Sequence, residues 1–342
     1  MPSRRLIACL GLLILAGPPP AVAQQTQTTV PPTPCVASAL VTEAGLLPGR
    51  ELPISRAYRY TMTGRIRPLL FWISRAEVGH AQIIWRADEH GATAIELFIS
   101  SDPAKAPRGI DRWGYLVEQV HAATTRVTGV ITSSDEATLA DVTKRLGTAA
   151  TVARFSAIES RIDQAWSCVA RSVIETPYDR YQREIPSVVR QVRDRLRTAT
   201  TKATMVPPGV RTGFFAALLE IGKETAAARR TGGNALAKLR GRTVPYIYGN
   251  NLFDLTLTDV ELETSPVVPA PAGAYPMHAL YDLKSRATGE RYKFELQYAT
   301  EGEMSGVPIL IRYQPRWWLQ VDLILAGPDE SVMKPGVGGD AR

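Results

Sequence analysis

The residues of this chain best suited to hold a ligand are its arginine–tryptophan clusters. Arg112-Trp113-Gly114-Tyr115 and Arg316-Trp317-Trp318 each set a guanidinium beside an indole. A guanidinium stacks on an aromatic face or forks onto an anionic group. Arg112, Trp113, Tyr115, Arg316 and Trp317 are therefore candidate contacts for a sugar-like or acidic ligand. Adjacent strand residues point to opposite faces, however, so the same pattern also arises when the indole is core and the arginine is surface.

Residues suited to catalysis are sparser. The four histidines, His80, His90, His121 and His278, have no second histidine at metal-chelating spacing. Asp88-Glu89, Glu261-x-Glu263 and Glu301-x-Glu303 are the possible carboxylate pairs. On a strand, residues i and i+2 share a face, at a separation that suits paired acid and base work; a solvated strand face gives the same spacing. The sequence contains no G-x-S-x-G elbow, H-E-x-x-H zinc helix, phosphate-cradling P-loop or G-x-G-x-x-G. No cofactor and no metal is implied. A non-catalytic binding protein is the leading expectation, and a hydrolase using a carboxylate pair or a histidine with a carboxylate is the alternative.

Compartment narrows the partners. Arg4 and Arg5 precede the apolar run Leu6–Ala16, and Ala21-Val22-Ala23 supplies small residues at a cleavage point. This is the pattern of a secretory signal peptide, with a mature chain beginning near Gln24 in the periplasm or outside the cell. Leu6-Ile7-Ala8-Cys9 has the letters of a lipoprotein box, but Cys9 sits too early in the apolar run. Cleavage leaves Cys35 and Cys168, which form either one disulfide or two buried thiols. No later segment is long and apolar enough for a membrane-spanning helix. An exported chain without a recognition motif is not expected to meet nucleic acid. A small molecule or an envelope component is the expected partner.

The charge is uneven. Residues 180–242 hold 14 Arg or Lys against 4 Asp or Glu, whereas the whole chain is only +7. Basic helices there could touch an anionic surface or simply carry solvated arginine faces.

These residues must be positioned by strands. Tyr58, Tyr60, Met62 and Ile66 alternate with Arg59, Thr61, Thr63, Arg65 and Arg67, the period of a strand with one dry face. Leu69–Ile73 (LLFWI) is continuous and apolar, which predicts a strand buried on both sides. Further strands are expected at 81–86, 94–99, 113–120 and 126–132, with Asp88–Gly91 as a hairpin turn. Ser133 and Glu136 form a capping box for a short helix. A hairpin turning at Asp163-Gln164 is preferred to a helix over 151–174. Helices are expected after Pro186 and around Phe214, Leu218 and Ile221. Strands return at 244–248, 252–257, 278–284, 291–298, 307–313 and 317–325.

The expected fold is α+β: a predominantly antiparallel, twisted sheet from the N- and C-terminal thirds, with helices from the middle covering one face. The divisions are a signal peptide (1–23), a leader (24–49), one domain (50–326) and a tail (327–342). Within the domain, 58–175 and 244–326 are strand-rich and 184–240 is helical.

Overall fold

The structure is a computed structural model that describes residues 35–36, 40, 50–67, 72–102, 104–106, 112–121, 124–132, 152–163, 165–177, 193–262, 276–316 and 319–333. Its strands in chain order are β1 (Ile54–Ile66), β2 (Ile73–Ala87), β3 (Thr93–Ser101), β4 (Trp113–His121), β5 (Thr124–Thr132), β6 (Val152–Ile162) and β7 (Trp166–Pro177). They continue as β8 (Thr201–Met205), β9 (Thr243–Tyr248), β10 (Asn251–Leu262), β11 (Pro276–Ser285), β12 (Arg291–Ala299), β13 (Pro308–Arg316) and β14 (Leu319–Pro328).

All belong to one antiparallel sheet in the order β8-β7-β6-β5-β4-β3-β2-β1-β14-β13-β12-β11-β10-β9. Each strand pairs with its neighbour in sequence, except that β1 pairs with β14, Tyr58 standing opposite Pro328 and Ile66 opposite Leu319. The two ends of the chain therefore meet in the middle of the sheet. Of its outer strands, β8 lies within the basic stretch and β9 directly follows it.

A twisted sheet of this width curls rather than staying flat. Here the β9–β10 turn packs against β6 and β7. Ser167 Oγ donates to the Gly249 carbonyl, and Arg171 Nη2 donates to Asn250 Oδ1 at 2.9 Å. Among the described residues β8 and β9 share no ladder; the chain between β8 and the following helix spans the gap. Arg211 N–H donates to the Pro245 carbonyl, and Ile247 N–H donates to the Arg211 carbonyl, both at 2.9 Å. The β9 edge thereby gains partners that an open edge lacks.

One long helix among the described residues, α1 (Phe214–Thr231), belongs to the interior of this curl. Phe214, Ala217, Ile221 and Thr225 are buried, a spacing that lines one helix face. Phe214 packs edge-on against Tyr246 and Phe294, Tyr246 stacks on Phe253, and Tyr281 stacks on Phe294. At the other end of α1 the Thr225 hydroxyl meets Tyr298 Oη at 2.6 Å. The sheet is mostly antiparallel with few helices, and a layer of helices over one face is not seen among the described residues. There the curled sheet buries its own inner face around α1.

The outer face of β3–β7 carries a second core. Trp113, Tyr115, Val117, Val130, Phe155 and Ala170 pack there with Leu40, Leu52 and Leu196. A Cys35–Cys168 disulfide, with Cα atoms 5.5 Å apart, ties the early chain to β7. The Thr201 hydroxyl donates to the Cys35 carbonyl.

Two local expectations fare differently. The hairpin at Asp163 is present: Asp163 Oδ1 accepts N–H groups from Ala165 (2.8 Å) and Trp166 (2.6 Å). Most of the buried strand expected over Leu69–Ile73 lies outside the described residues, and Trp72 and Ile73 are 37% and 48% exposed. An apolar run alone does not distinguish a core strand from the end of a hairpin. The helix after Ser133 and most of the one after Pro186 lie outside the described residues.

Candidate functional site

The inner faces of β4–β7 and the end of β9 enclose a polar group within the apolar interior. Glu118 of β4 stands there because Leu116, Glu118 and Val120 alternate away from Trp113, Tyr115 and Val117. Its carboxylate caps α1 from outside the helix. Oε2 accepts the Phe215 N–H and Oε1 the Ala216 N–H, both at 3.1 Å. Gly213 occupies the N-cap with φ 140° and offers no side chain of its own; a Cβ there would lie 2.2 Å from Glu118 Oε1. A glycine at the cap is thus what lets a carboxylate on a distant strand reach the free N–H groups of the first turn. Burial pushes the Glu118 carboxyl up to about 7, although the N–H groups of Phe214, Phe215 and Ala216 pull it the other way.

Tyr246 and Tyr248 are fully buried beside this carboxylate. Burial first, and the Glu118 charge second, hold both phenols well above their usual range. Neither hydroxyl has a hydrogen-bond partner among the described residues, and the same is true of Ser160 Oγ and Arg171 Nε. Tyr248 Oη points at Gly129 of β5, where an added Cβ would lie 3.9 Å from it and 3.0 Å from Ile158 Cγ2. Arg171 forms no ion pair among the described residues, and burial lowers its affinity for the proton. Buried charges are ordinarily paired, and buried hydroxyls are ordinarily bonded. A guanidinium bonded only to Asn250, with its Nε free of a partner among the described residues, and three open hydroxyls beside an apolar interior can therefore accept an anionic, oxygen-rich group.

The sequence-derived ligand contacts lie elsewhere. Trp113 and Tyr115 are each 4% exposed, and both face the outer core. Trp113 packs on Phe155 with ring centroids 5.0 Å apart. Tyr115 lies beside Glu96 and Arg50, and burial raises its phenol. The Arg112 backbone brackets Ser101, its N–H donating to Ser101 Oγ at 2.7 Å. Arg316 ends β13 opposite Leu319, and Trp317 lies outside the described residues. Four strands separate β4 from β13 in the sheet, about 24 Å along its surface at the usual strand spacing. Both groups nonetheless stand at the same end of the strands.

Of the carboxylate pairs, Asp88/Glu89 and Glu301/Glu303 are fully described, and neither converges on a shared site. Asp88 Oδ1 accepts the His90 and Ala92 N–H groups in its turn, and Glu89 is exposed. Glu301 pairs with Arg229, Glu303 is exposed, and Glu263 lies outside the described residues. His80 packs on Phe98, and His121 is exposed at the end of β4. His278 joins a charged ladder on the outer face of the other half of the sheet. Its Nδ1 lies 3.3 Å from Glu261 and its Nε2 3.1 Å from Glu295. Arg312 then links Glu295 to Asp322, and Arg65 closes the row on Asp322 at 3.0 Å. Among the described residues no three or more His, Cys, Asp or Glu form a metal-holding group.

Sequence reasoning missed Glu96, Glu118 and Glu159. Each interrupts an apolar strand (AIELFI, YLVEQV, FSAIES), and that interruption was the available signal. Glu96 is held by Arg50 (2.6 Å) and Arg86 (3.2 Å). Glu159 takes both Nε and Nη2 of Arg193 and the Thr128 hydroxyl.

No protein-family model matches the sequence, and no curated protein matches it. A solved structure described as a β-barrel-like protein of the domain of unknown function DUF1849 from Brucella abortus is similar. The similarity covers 81% of this chain and 98% of that one, with 7% identity and a TM-score of 0.42.

Proposed function

We propose that this is an exported, non-catalytic binding protein whose curled sheet takes a small amphiphile with an anionic head. The observation that carries the reading is Arg171, a half-buried guanidinium whose buried Nε has no partner and which has no counter-ion among the described residues, beside unpartnered Tyr248, Tyr246 and Ser160 hydroxyls. Ile158, Val169 and the aromatic core around Phe214 suit the apolar part of such a ligand. Glu118 does not compete for Arg171, because its oxygens are already engaged at the helix.

Export rests on the N-terminal pattern with cleavage after Ala23, and the Cys35–Cys168 bridge suits an oxidising compartment. The ligand role of Arg112, Trp113, Tyr115, Arg316 and Trp317 enters the proposal in a changed form. Trp113 and Tyr115 form the wall behind the strand that carries Glu118. Arg112 and Arg316 belong to the end of the sheet where a partner would approach, and Trp317 follows Arg316 in the sequence. The basic stretch supports a surface role less well than its charge suggests. Arg193, Arg211, Arg229, Arg240 and Arg242 all pair with carboxylates.

Calorimetric titration of the mature protein with dodecanoate, dodecyl phosphate and dodecanol tests the reading. Both anions should bind and the alcohol should bind far more weakly. Arg171→Gln should weaken the anions by roughly ten- to a hundredfold, the loss of one charge-assisted hydrogen bond. Equal affinity for the alcohol, or an Arg171→Gln protein that binds as the parent does, overturns it.

A further inference from the structure

At one end of the sheet the β1–β2 hairpin runs on past β3. Its two strands pair as far as Ile66 opposite Ile73, whereas β2 pairs with β3 only from Gly79 onward. Ile73–Glu77 are consequently exposed. β2 parts from β3 at an irregularity: the register slips between Met62 and Gly64, and Glu77 adopts φ 53°, the left-handed region unusual for a side chain of this kind. On its other side β1 is backed by the start of β14.

What this end of the hairpin presents is apolar and cationic together. Trp72 and Ile73 are among the few large hydrophobic side chains exposed on the described residues. The Arg67 guanidinium lies 6.0 Å from the centroid of the Trp72 ring. Neither Arg67 nor Arg75 forms an ion pair among the described residues, whereas Arg65, two residues before Arg67 on β1, is neutralised by Asp322. Indole rings favour the boundary between lipid tails and headgroups. Arginine keeps its charge at the headgroups while its stem lies along apolar surface. Anionic lipid attracts each nearby cation.

We infer that the free end of the β1–β2 hairpin docks the protein on an anionic lipid surface, with Trp72 and Ile73 at the headgroup boundary and Arg67 and Arg75 on lipid phosphates. This does not depend on the ligand reading above, since no residue of the internal polar group takes part.

The test is flotation of the mature protein with vesicles of equal parts phosphatidylglycerol and phosphatidylcholine, against vesicles of phosphatidylcholine alone. The parent should float with the anionic vesicles and remain largely free with the neutral ones. Arg67→Gln with Arg75→Gln should weaken anionic binding by roughly tenfold or more and erase the preference for anionic lipid. Trp72→Ala with Ile73→Ser should weaken binding without changing the preference. All four positions are near the free end, so an unchanged melting temperature verifies that the variants fold. Parent protein that ignores anionic vesicles, or variants that float as the parent does, overturn the inference. So does a tip variant that changes only the protein's self-association, which would make the hairpin end a contact between copies.

Discussion

Two carboxylates buried on neighbouring parts of the sheet meet opposite solutions. Glu159, on the outer face of β6, is clamped by the Arg193 fork and by Thr128. Glu118, on the inner face of β4, has no cation and relies on the N–H groups of a helix start. The outer face is covered by chain segments that bring arginines with them: Arg50 to Glu96 and Arg193 to Glu159. The inner face is covered by the sheet itself and by α1, which bring tyrosines and N–H groups. Charge on the outer face is thus matched partner for partner, while the inner face leaves Glu118 near its titration point and Arg171 without an anion.

The largest effect should come from breaking the matched side. Arg193→Ala leaves Glu159 buried and unpaired, at a cost of about 3–5 kcal/mol. The loss should be greater at pH 8 than at pH 5, where protonation relieves the bare carboxylate; denaturant unfolding at the two pH values measures it. The cover itself depends on Cys35–Cys168. Reduction, or Cys168→Ser, should lower stability by about 2–5 kcal/mol, a long loop being freed in the unfolded chain. Thermal melts with and without reductant test this.

The unmatched side should be visible as a pH dependence. Glu118 is raised to about 7 in the folded protein from an ordinary value of 4.5. Between those values the unfolded chain loses its proton while the folded one keeps it. Its contribution therefore favours the folded state at low pH and falls away as pH rises from about 4.5 to about 7, by roughly 3 kcal/mol in all. Glu118→Gln should abolish that slope in unfolding measured across this range. The smallest effect is expected from the open charged ladder, where His278→Gln should change stability by about 1 kcal/mol or less.

Much of the sheet was legible because its rules are local. The alternation from Tyr58, the Asp88 and Asp163 turns and the β-rich last third all depend on residues a few positions apart. The curl, and the helix inside it, depend on pairs such as Glu118 with Phe215 or Ser167 with Gly249, which no period announces. Trp113 and Tyr115 show the same limit: placed correctly on a strand, they turned to a face whose cover comes from far along the chain.

The ladder joining β1 to β14 has a bearing on how the molecule is made. Because Tyr58 must find Pro328 before the centre of the sheet exists, both halves of the sheet have to be present before the core can close. Such distant pairing folds slowly, so the two halves stand as separate curved ribbons until this one ladder joins them.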